Sequence, residues 1–545
     1  MSLIEEAKVN FQRANHSKVI ELCRKILAKN INLDALLLLG NSLFEKSLYH
    51  DALDMMKLAE RVNNKDVSIK LTRIKVQMKL AETVNNKYFA QCAVELRRIL
   101  KSDPDNYLAT SYLFQIYHKL FFQNSARRLL ESYLERNPSN GAMQYEYFRL
   151  LTNYGEFEAA KEALDKGIKD KPLLAMDYTW KNVNPGYDPE ARLAQLAKAK
   201  RQTKPTDFYQ SNYYLSCGYA HERKKDYEAA FKAFVKANDK MRPTRIYNRE
   251  AYVNFFRYFA TALTRENLEN IKKFSKEMPE PDIVPVFIVG LPRSGSTLIE
   301  TILCAHDEIS GVGEINDFKE NILRHLGERT MEGNYTIALS KITKEQLADL
   351  RDDYIKLLSS KNARKNRDAK GRFVINKMLT NFHYIPLIKA MYPNAKIIHA
   401  KRHVLDCTWS MFKMFFEGDD NYLYNLKELG DHYNLYRELI DIYQDNVLDE
   451  GDMLEVVHEE LTKDPDAQIE RMLDYLGLDH DREKCLKFYE QDINVRTASF
   501  AQVRKPITHK ETMAWEPYEQ YLGDLIGMID QKYLDEVGFV PKQDS

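Results

Sequence analysis

Val286-Phe-Ile-Val-Gly-Leu-Pro-Arg-Ser-Gly-Ser-Thr-Leu298 decides how this chain is read. Four apolar residues run into Gly290, a short loop follows, and Ser296 opens a helical pattern. The stretch therefore predicts a buried strand, a tight turn and the first turn of a helix. Gly290 and Gly295 let backbone amides come close to an anionic group, and Ser294, Ser296 and Thr297 add hydroxyl donors. A helix N-terminus adds unpaired N–H groups and partial positive charge. Together these features predict an anion cradle with one fixed cation, Arg293, inside the loop.

The rest of the chain bounds what such a cradle can serve. Its 545 residues exceed a single core and suggest about three to four domain-sized units. Lys plus Arg and Asp plus Glu both total 80, so no global charge favours nucleic acid or an anionic membrane as partner. Cys23, Cys92, Cys217, Cys304, Cys407 and Cys485 are scattered, without a CxxC pair. They predict reduced thiols, with neither a disulfide framework nor a metal site. The acidic, amphipathic start Met1-Ser-Leu-Ile-Glu-Glu-Ala-Lys8 does not resemble a secretory signal, and no apolar run approaches the ~18 residues of a membrane span. The expectation is a cytoplasmic protein with no membrane insertion.

Two grammars divide the chain. Residues 1–260 carry apolar residues at helical spacing, and a period emerges: Pro104, Pro138 and Pro172 are each 34 apart, as are Ala126 and Ala160. Gly40 with Ala52 and Gly218 with Ala230 repeat a small–small pair twelve apart. This pattern resembles tetratricopeptide repeats, in which small residues let paired helices touch. The resemblance implies an N-terminal all-α superhelix that binds a peptide or protein partner. Its register slips near residues 80–90 and breaks at 173–207, where Asn184-Pro185-Gly186 marks a turn. Residues 261–283, with Pro279 and Pro281 among charges, are expected as a linker. From 284 to 545, β-branched runs at Val284–Val289, Phe373–Ile375, Lys396–His399 and Leu454–Val457 alternate with helical pattern. That alternation predicts an α/β domain with a mainly parallel sheet and a site at the carboxyl ends of its strands.

The loop spacing Gly290-x4-Gly295 nearly fits a nucleotide P-loop, but Ser296 stands where the lysine belongs. With the cation moved inward to Arg293, the loop resembles the 5′-phosphosulfate loop of sulfotransferases. The third predicted strand ends in Lys401-Arg402-His403, and Ser410 follows eight residues after Arg402. This is similar to the Arg and Ser with which sulfotransferases grip the 3′-phosphate of 3′-phosphoadenosine 5′-phosphosulfate. With the repeats, the whole resembles repeat-containing sulfotransferases whose catalytic domain is similar to tyrosylprotein sulfotransferases. That resemblance implies a P-loop-like sulfotransferase fold and a cofactor site of Arg293, Ser294, Gly295, Ser296, Thr297, Arg402 and Ser410. It implies Glu314, twenty-one residues after Arg293, as general base, Lys377 of Asn376-Lys377 at the transferring group, and Ser499 beside them. Arg504 and Lys505 of Gln502-Val-Arg-Lys-Pro506 are implied to close over the nucleotide phosphates.

Some positions depart from the family pattern. Asn316 replaces an arginine of the tyrosylprotein enzymes, which weighs against a tyrosine acceptor. His458 precedes Glu459 where relatives carry Tyr, and Met513-Ala514-Trp515 stands where relatives show Gly-Arg-Trp. The implied reaction is sulfuryl transfer to an acceptor hydroxyl on a protein, with protein tyrosine among the options, or on a carbohydrate. It proceeds by in-line attack through a loose transition state, in which positioning and electrostatics dominate. No metal is expected. His399, His403 and His458 fit structural or adenine-side roles better than acid–base chemistry. Two alternatives remain open at this stage. One is a P-loop kinase or NTPase; the other is a repeat scaffold whose catalytic domain is inactive.

Overall fold

A computed structural model of the chain describes residues 2–83, 87–120, 122–170, 184, 186–202, 207–326, 338–339, 341–365, 371–416, 420–479, 482–491, 502–508 and 512–541. These residues form two compact units, Met1–Tyr147 and Phe148–Ser545. Among them, fifteen α-helices precede the first strand, and no helix is long and apolar enough to cross a membrane.

In the first unit, helices Leu3–Gln12, His16–Leu27, Leu33–Glu45, Tyr49–Val62, Val67–Thr83, Lys87–Ser102, Tyr107–Lys119 and Gln123–Arg136 each pack on the next. Side chains of Asn15, Asn32 and Asn106 cap three of them by accepting from the amides of Lys18, Ala35 and Ala109. Such caps satisfy amides that the first turn leaves unpaired. The small residues singled out by the period are the contact points: Ala52 and Ala126 are fully buried. A Cβ added to Gly40 would lie 2.6 Å from Met56 Cε. The repeat also explains the prolines. Arg136, at one repeat's end, donates to the Pro104 carbonyl at 2.9 Å and to Asp105 at 2.9 Å in the turn one repeat earlier.

The second unit continues with helices Phe157–Asp170, Pro189–Gln202, Asp207–Arg223, Tyr227–Met241, Arg249–Ala262 and Arg265–Lys276. A sheet follows, of strands β1 (Val284–Gly290), β2 (Ile309–Gly313), β3 (Phe373–Asn376), β4 (Lys396–Lys401) and β5 (Met453–Val457). Its order is β2-β3-β1-β4-β5, and every pair is parallel. β1 is central and buried along its whole length, as a continuous apolar run covered on both faces must be. The chain runs β1, β2, β3 on one side of the centre and then crosses to β4 and β5. The crevice of such a sheet opens outside the carboxyl ends where that order reverses.

Four of the five strands were legible as apolar runs. β2 was not, because Ile-Ser-Gly-Val-Gly is glycine-rich and of poor strand propensity. Its glycine is needed: a Cβ on Gly311 would stand 2.7 Å from Glu300 Oε1 and 2.9 Å from Cys304 Sγ.

The helices just before the sheet are part of its core. Phe231 stacks on Trp409 and Tyr521, and a Cβ on Gly218 would meet the Phe234 ring at 2.5 Å. Asn238 donates to the Phe412 carbonyl at 2.9 Å. Glu222 pairs with Lys413 at 2.6 Å and accepts from the Tyr518 hydroxyl at 3.0 Å. Arg249 clasps Asp431 through Nε and Nη2, and Arg265 holds the carbonyls of Asn446 and Leu448 at 2.9 and 2.8 Å. Phe255, Phe256 and Phe259 surround His383.

Candidate active site

Five strand ends supply the site. Directly after β1 comes the loop Leu291–Gly295 and the helix Ser296–Leu303; after β2 comes Glu314, after β3 Lys377, after β4 Arg402, and after β5 His458. Residues far apart in sequence thus meet along one edge of the sheet, a consequence of its parallel topology.

The loop takes backbone conformations that favour glycine. Gly290 has φ 144°, Gly295 φ 89° and, unusually for a residue with a side chain, Arg293 φ 70°. A Cβ at Gly290 would come 2.6 Å from the Ala400 carbonyl oxygen, and one at Gly295 would come 2.5 Å from His458 Nδ1. Both glycines therefore stand where neighbouring strands crowd the turn. The departure at His458 has a place here: its ring lies against the loop. From behind, Cys407 donates its thiol to the Pro292 carbonyl at 3.1 Å. Burial pushes that thiol up to about 12, so it stays a protonated donor.

Arg293 Nε donates to Ser410 Oγ at 2.9 Å. Arg402 donates to the Arg293 carbonyl at 3.2 Å and to Asp406 at 3.3 Å. Arg293, Arg402 and Ser410 are therefore one connected group. Asp406, fully inside, also accepts from the amides of Met513 at 2.7 Å and Trp515 at 3.3 Å. Trp515 in turn stacks on His403 at 5.2 Å. Burial lowers the His403 pKa, and its amide donates to Glu459 at 3.1 Å.

A second group sits at the ends of β2 and β3. Lys377 is completely buried, and its Nζ donates to Glu314 Oε1 at 2.6 Å, with Glu300 Oε2 at 3.8 Å. Burial alone would lower the lysine pKa; Glu314 and Glu300 together raise it, so Lys377 is held as a cation. Glu314 itself is about half exposed, at 49%. Asn376 staples this group: its amide donates to the Ile315 carbonyl at 3.3 Å, next to Glu314, and its oxygen accepts from Met378 at 3.0 Å, next to Lys377.

The loop and its helix fit an anion. Ser294, Ser296 and Thr297 are buried at the cradle, and Ser294 Oγ is enclosed without a hydrogen-bond partner among the described residues. A buried hydroxyl with no partner is unfavourable unless a ligand completes it. Ser499 falls outside the described residues. Arg504 donates to the Asn153 carbonyl at 2.6 Å, Lys505 is exposed, and the turn Gln502–Arg504 packs on the Ser296–Leu303 helix. Glu300 and Asp406 had no part in the site as read from sequence, and Asn376 entered it only as the neighbour of Lys377. Glu300 had left a signal, as the single ionisable residue of the helix Ser296–Leu303.

Residues 285–482 match the sulfotransferase family and residues 124–175 the tetratricopeptide repeat. An uncharacterised protein of Aquifex aeolicus (strain VF5) is 26% identical over 75% of this chain, which spans about half, 53%, of that relative's length. A Caenorhabditis briggsae protein, provisionally named a protein-tyrosine sulfotransferase, is 26% identical over 47% of this chain and 88% of its own. Among solved structures, the sulfotransferase domain of a Synechococcus olefin synthase is 20% identical with a TM-score of 0.32, covering 49% of this chain and 98% of that one. A repeat protein of Parabacteroides merdae is 19% identical with a TM-score of 0.32, covering 46% and 94%. Residues 285–482 are a sulfotransferase-family domain, behind a helical region that carries tetratricopeptide repeat.

Proposed function

We propose that this chain transfers a sulfuryl group from 3′-phosphoadenosine 5′-phosphosulfate to an acceptor hydroxyl, with the catalytic domain beginning near residue 284. One observation carries the reading: a buried cation, Lys377, pairs with an exposed carboxylate, Glu314, beside an anion loop whose Ser294 hydroxyl has no protein partner among the described residues. When bound, the donor supplies the activated sulfuryl group. The amides and hydroxyls of Ser294, Ser296 and Thr297 hold the 5′ side, and Arg402, Arg293 and Ser410 hold the 3′-phosphate. A planar guanidinium fork and a hydroxyl suit that phosphate. Glu314, open to solvent on one side, accepts the proton of the acceptor hydroxyl. Lys377 keeps a fixed positive charge where negative charge develops. Ser499 is assigned to the reacting centre with Glu314 and Lys377, and Arg504 and Lys505 to a segment that closes over the nucleotide phosphates.

The acceptor is a hydroxyl on a macromolecule, recruited by the tetratricopeptide-repeat helices. A protein tyrosine is the acceptor suggested by the name of the Caenorhabditis relative, and a carbohydrate hydroxyl meets the same base. Calorimetry with adenosine 3′,5′-bisphosphate tests the donor half: Arg402→Ala should weaken binding by about 2–4 kcal/mol, the scale for stripping one charge-assisted partner from a buried phosphate. Equal affinity in both proteins refutes that assignment. Glu314→Gln should leave this binding nearly intact while slowing transfer of labelled sulfuryl by about 10²–10⁴-fold. Near-normal turnover in that variant removes Glu314 from the role of base.

A further inference from the structure

Glu300 lies one turn into the helix that follows the anion loop, as the single ionisable residue of that helix. It is only 9% exposed. Its Oε2 stands 3.8 Å from Lys377 Nζ, whereas its Oε1 is enclosed without a hydrogen-bond partner among the described residues. The bare backbone of Gly311 makes room for it, since a Cβ there would sit 2.7 Å from Oε1. A buried carboxylate so thinly satisfied is unfavourable for folding. Its placement is explained by the charge it faces.

Lys377 meets two carboxylates from different elements, Glu314 at the end of β2 and Glu300 on the loop helix. Cys304, at the end of that same helix, is a further titratable neighbour of this corner, its Sγ 2.9 Å from where a Cβ on Gly311 would stand. The two carboxylates differ in access: the Glu314 side chain is 49% exposed and that of Glu300 12%. A base that takes a proton from its acceptor loses its negative charge. Were Glu314 the sole counter-ion, a wholly buried Lys377 would then face a desolvated site with no partner and would tend to shed its own proton.

We infer that Glu300 is a positioning residue that keeps Lys377 charged and in place while Glu314 serves the acceptor; the inference rests on the donor reading above. The exposed carboxylate exchanges partners during turnover, and the buried one does not.

Adenosine 3′,5′-bisphosphate binding, followed by calorimetry across alkaline pH, provides a readout independent of turnover. Affinity of the full chain should fall where Lys377 loses its proton, and Lys377→Met should abolish that fall. Glu300→Gln should move the midpoint down by about one pH unit, the scale for losing an opposite charge within a few ångströms. Glu300→Asp, which keeps the charge, should recover most of the shift. The alkaline limb of kcat/KM should move in the same direction. A folded Glu300→Gln protein whose midpoint stays put, even with weaker binding, overturns the inference. If that variant does not fold, Glu314→Gln decides: Glu300 alone should hold the midpoint within about one unit of wild type, and a larger fall overturns it. No binding at any pH takes the donor reading down and this inference with it; binding with an unmoved midpoint sinks this inference alone.

Discussion

The helices of residues 3–136 and those of residues 207–276 share one grammar and use it differently. Both place a glycine where the next helix comes close, Gly40 against Met56 and Gly218 against Phe234. In the first group, buried residues such as Ala52, Leu53 and Met56 meet other repeat helices. In the second, the outer faces carry Phe231, Asn238, Arg249, Phe256 and Arg265, which meet the sheet domain through stacking, backbone hydrogen bonds and a clasped carboxylate. A repeat pattern specifies how a helix touches its hairpin partner. It leaves open what covers the other side, and here the sheet and its flanking helices supply that cover for the last helices.

The sharpest way to break this comparison is to cut the chain on either side of the second group. A protein beginning at Gly141 should fold and keep adenosine 3′,5′-bisphosphate binding. One beginning at Glu277 should lose cooperative unfolding altogether, because Trp409, Tyr518 and His432 would lose the faces that bury them. Circular dichroism melts of the two fragments check this, and a folded 277–545 fragment would show the helices to be dispensable.

Next in size is a point change at the junction. Trp409→Ala should destabilise the second unit by about 3–5 kcal/mol, the usual range for removing a large buried aromatic ring. Leu130→Ala, in the first group, should lower the stability of its own unit by about 2–5 kcal/mol and leave nucleotide affinity unchanged. Urea unfolding with separate fluorescence and binding readouts distinguishes the two.

Acid should find the junction as well. Burial pushes His383 and His432 down to about 3 from 6.5. The folded state therefore resists their protonation, and the stability they confer is complete above the unfolded value. It is lost as pH falls through the window between 6.5 and about 3. Each ring should contribute a loss of up to about 1.4 kcal/mol per pH unit there. His432→Phe, which fills the same stacked space against Tyr422, should flatten the slope in a pH series of melting temperatures. An unchanged slope removes His432 from the cause.

The smallest expected effect lies at a repeat turn. Arg136→Ala loses its exposed contacts to Asp105 and the Pro104 carbonyl and should cost under about 1 kcal/mol, with unaltered nucleotide binding. A large loss would mean that the repeat turns, and not only their helix faces, hold the first unit together.

The loop could be read from local pattern. Its glycines and the apolar run of β1 are short-range signals, set by which residues a turn or a buried strand tolerates, whereas the Arg402–Ser410 interval and the offset from Arg293 to Glu314 came from the resemblance to sulfotransferases. β2 escaped because its glycines serve packing against Glu300 and Cys304 rather than strand propensity. Asn376 could be read as a neighbour of Lys377, but not as the clamp that reaches the Ile315 carbonyl. Arg504 has its partner at Asn153, a contact that no spacing rule anticipates.

What the sequence by itself determined is a glycine loop with one arginine between an apolar strand and a helix, an alternation of strands and helices after it, and helices with a 34-residue period before it. Those follow from hydrophobic period, turn chemistry and backbone freedom, which act over a few residues. Only the tertiary structure decided that Glu300 faces Lys377, that Asp406 ties Arg402 to the Met513–Trp515 segment, and that the helices of 207–276 pack on the sheet domain. Each of these is a contact between distant stretches. It is fixed by which strand lies beside which, and by the need of every buried charge and apolar face to find a partner.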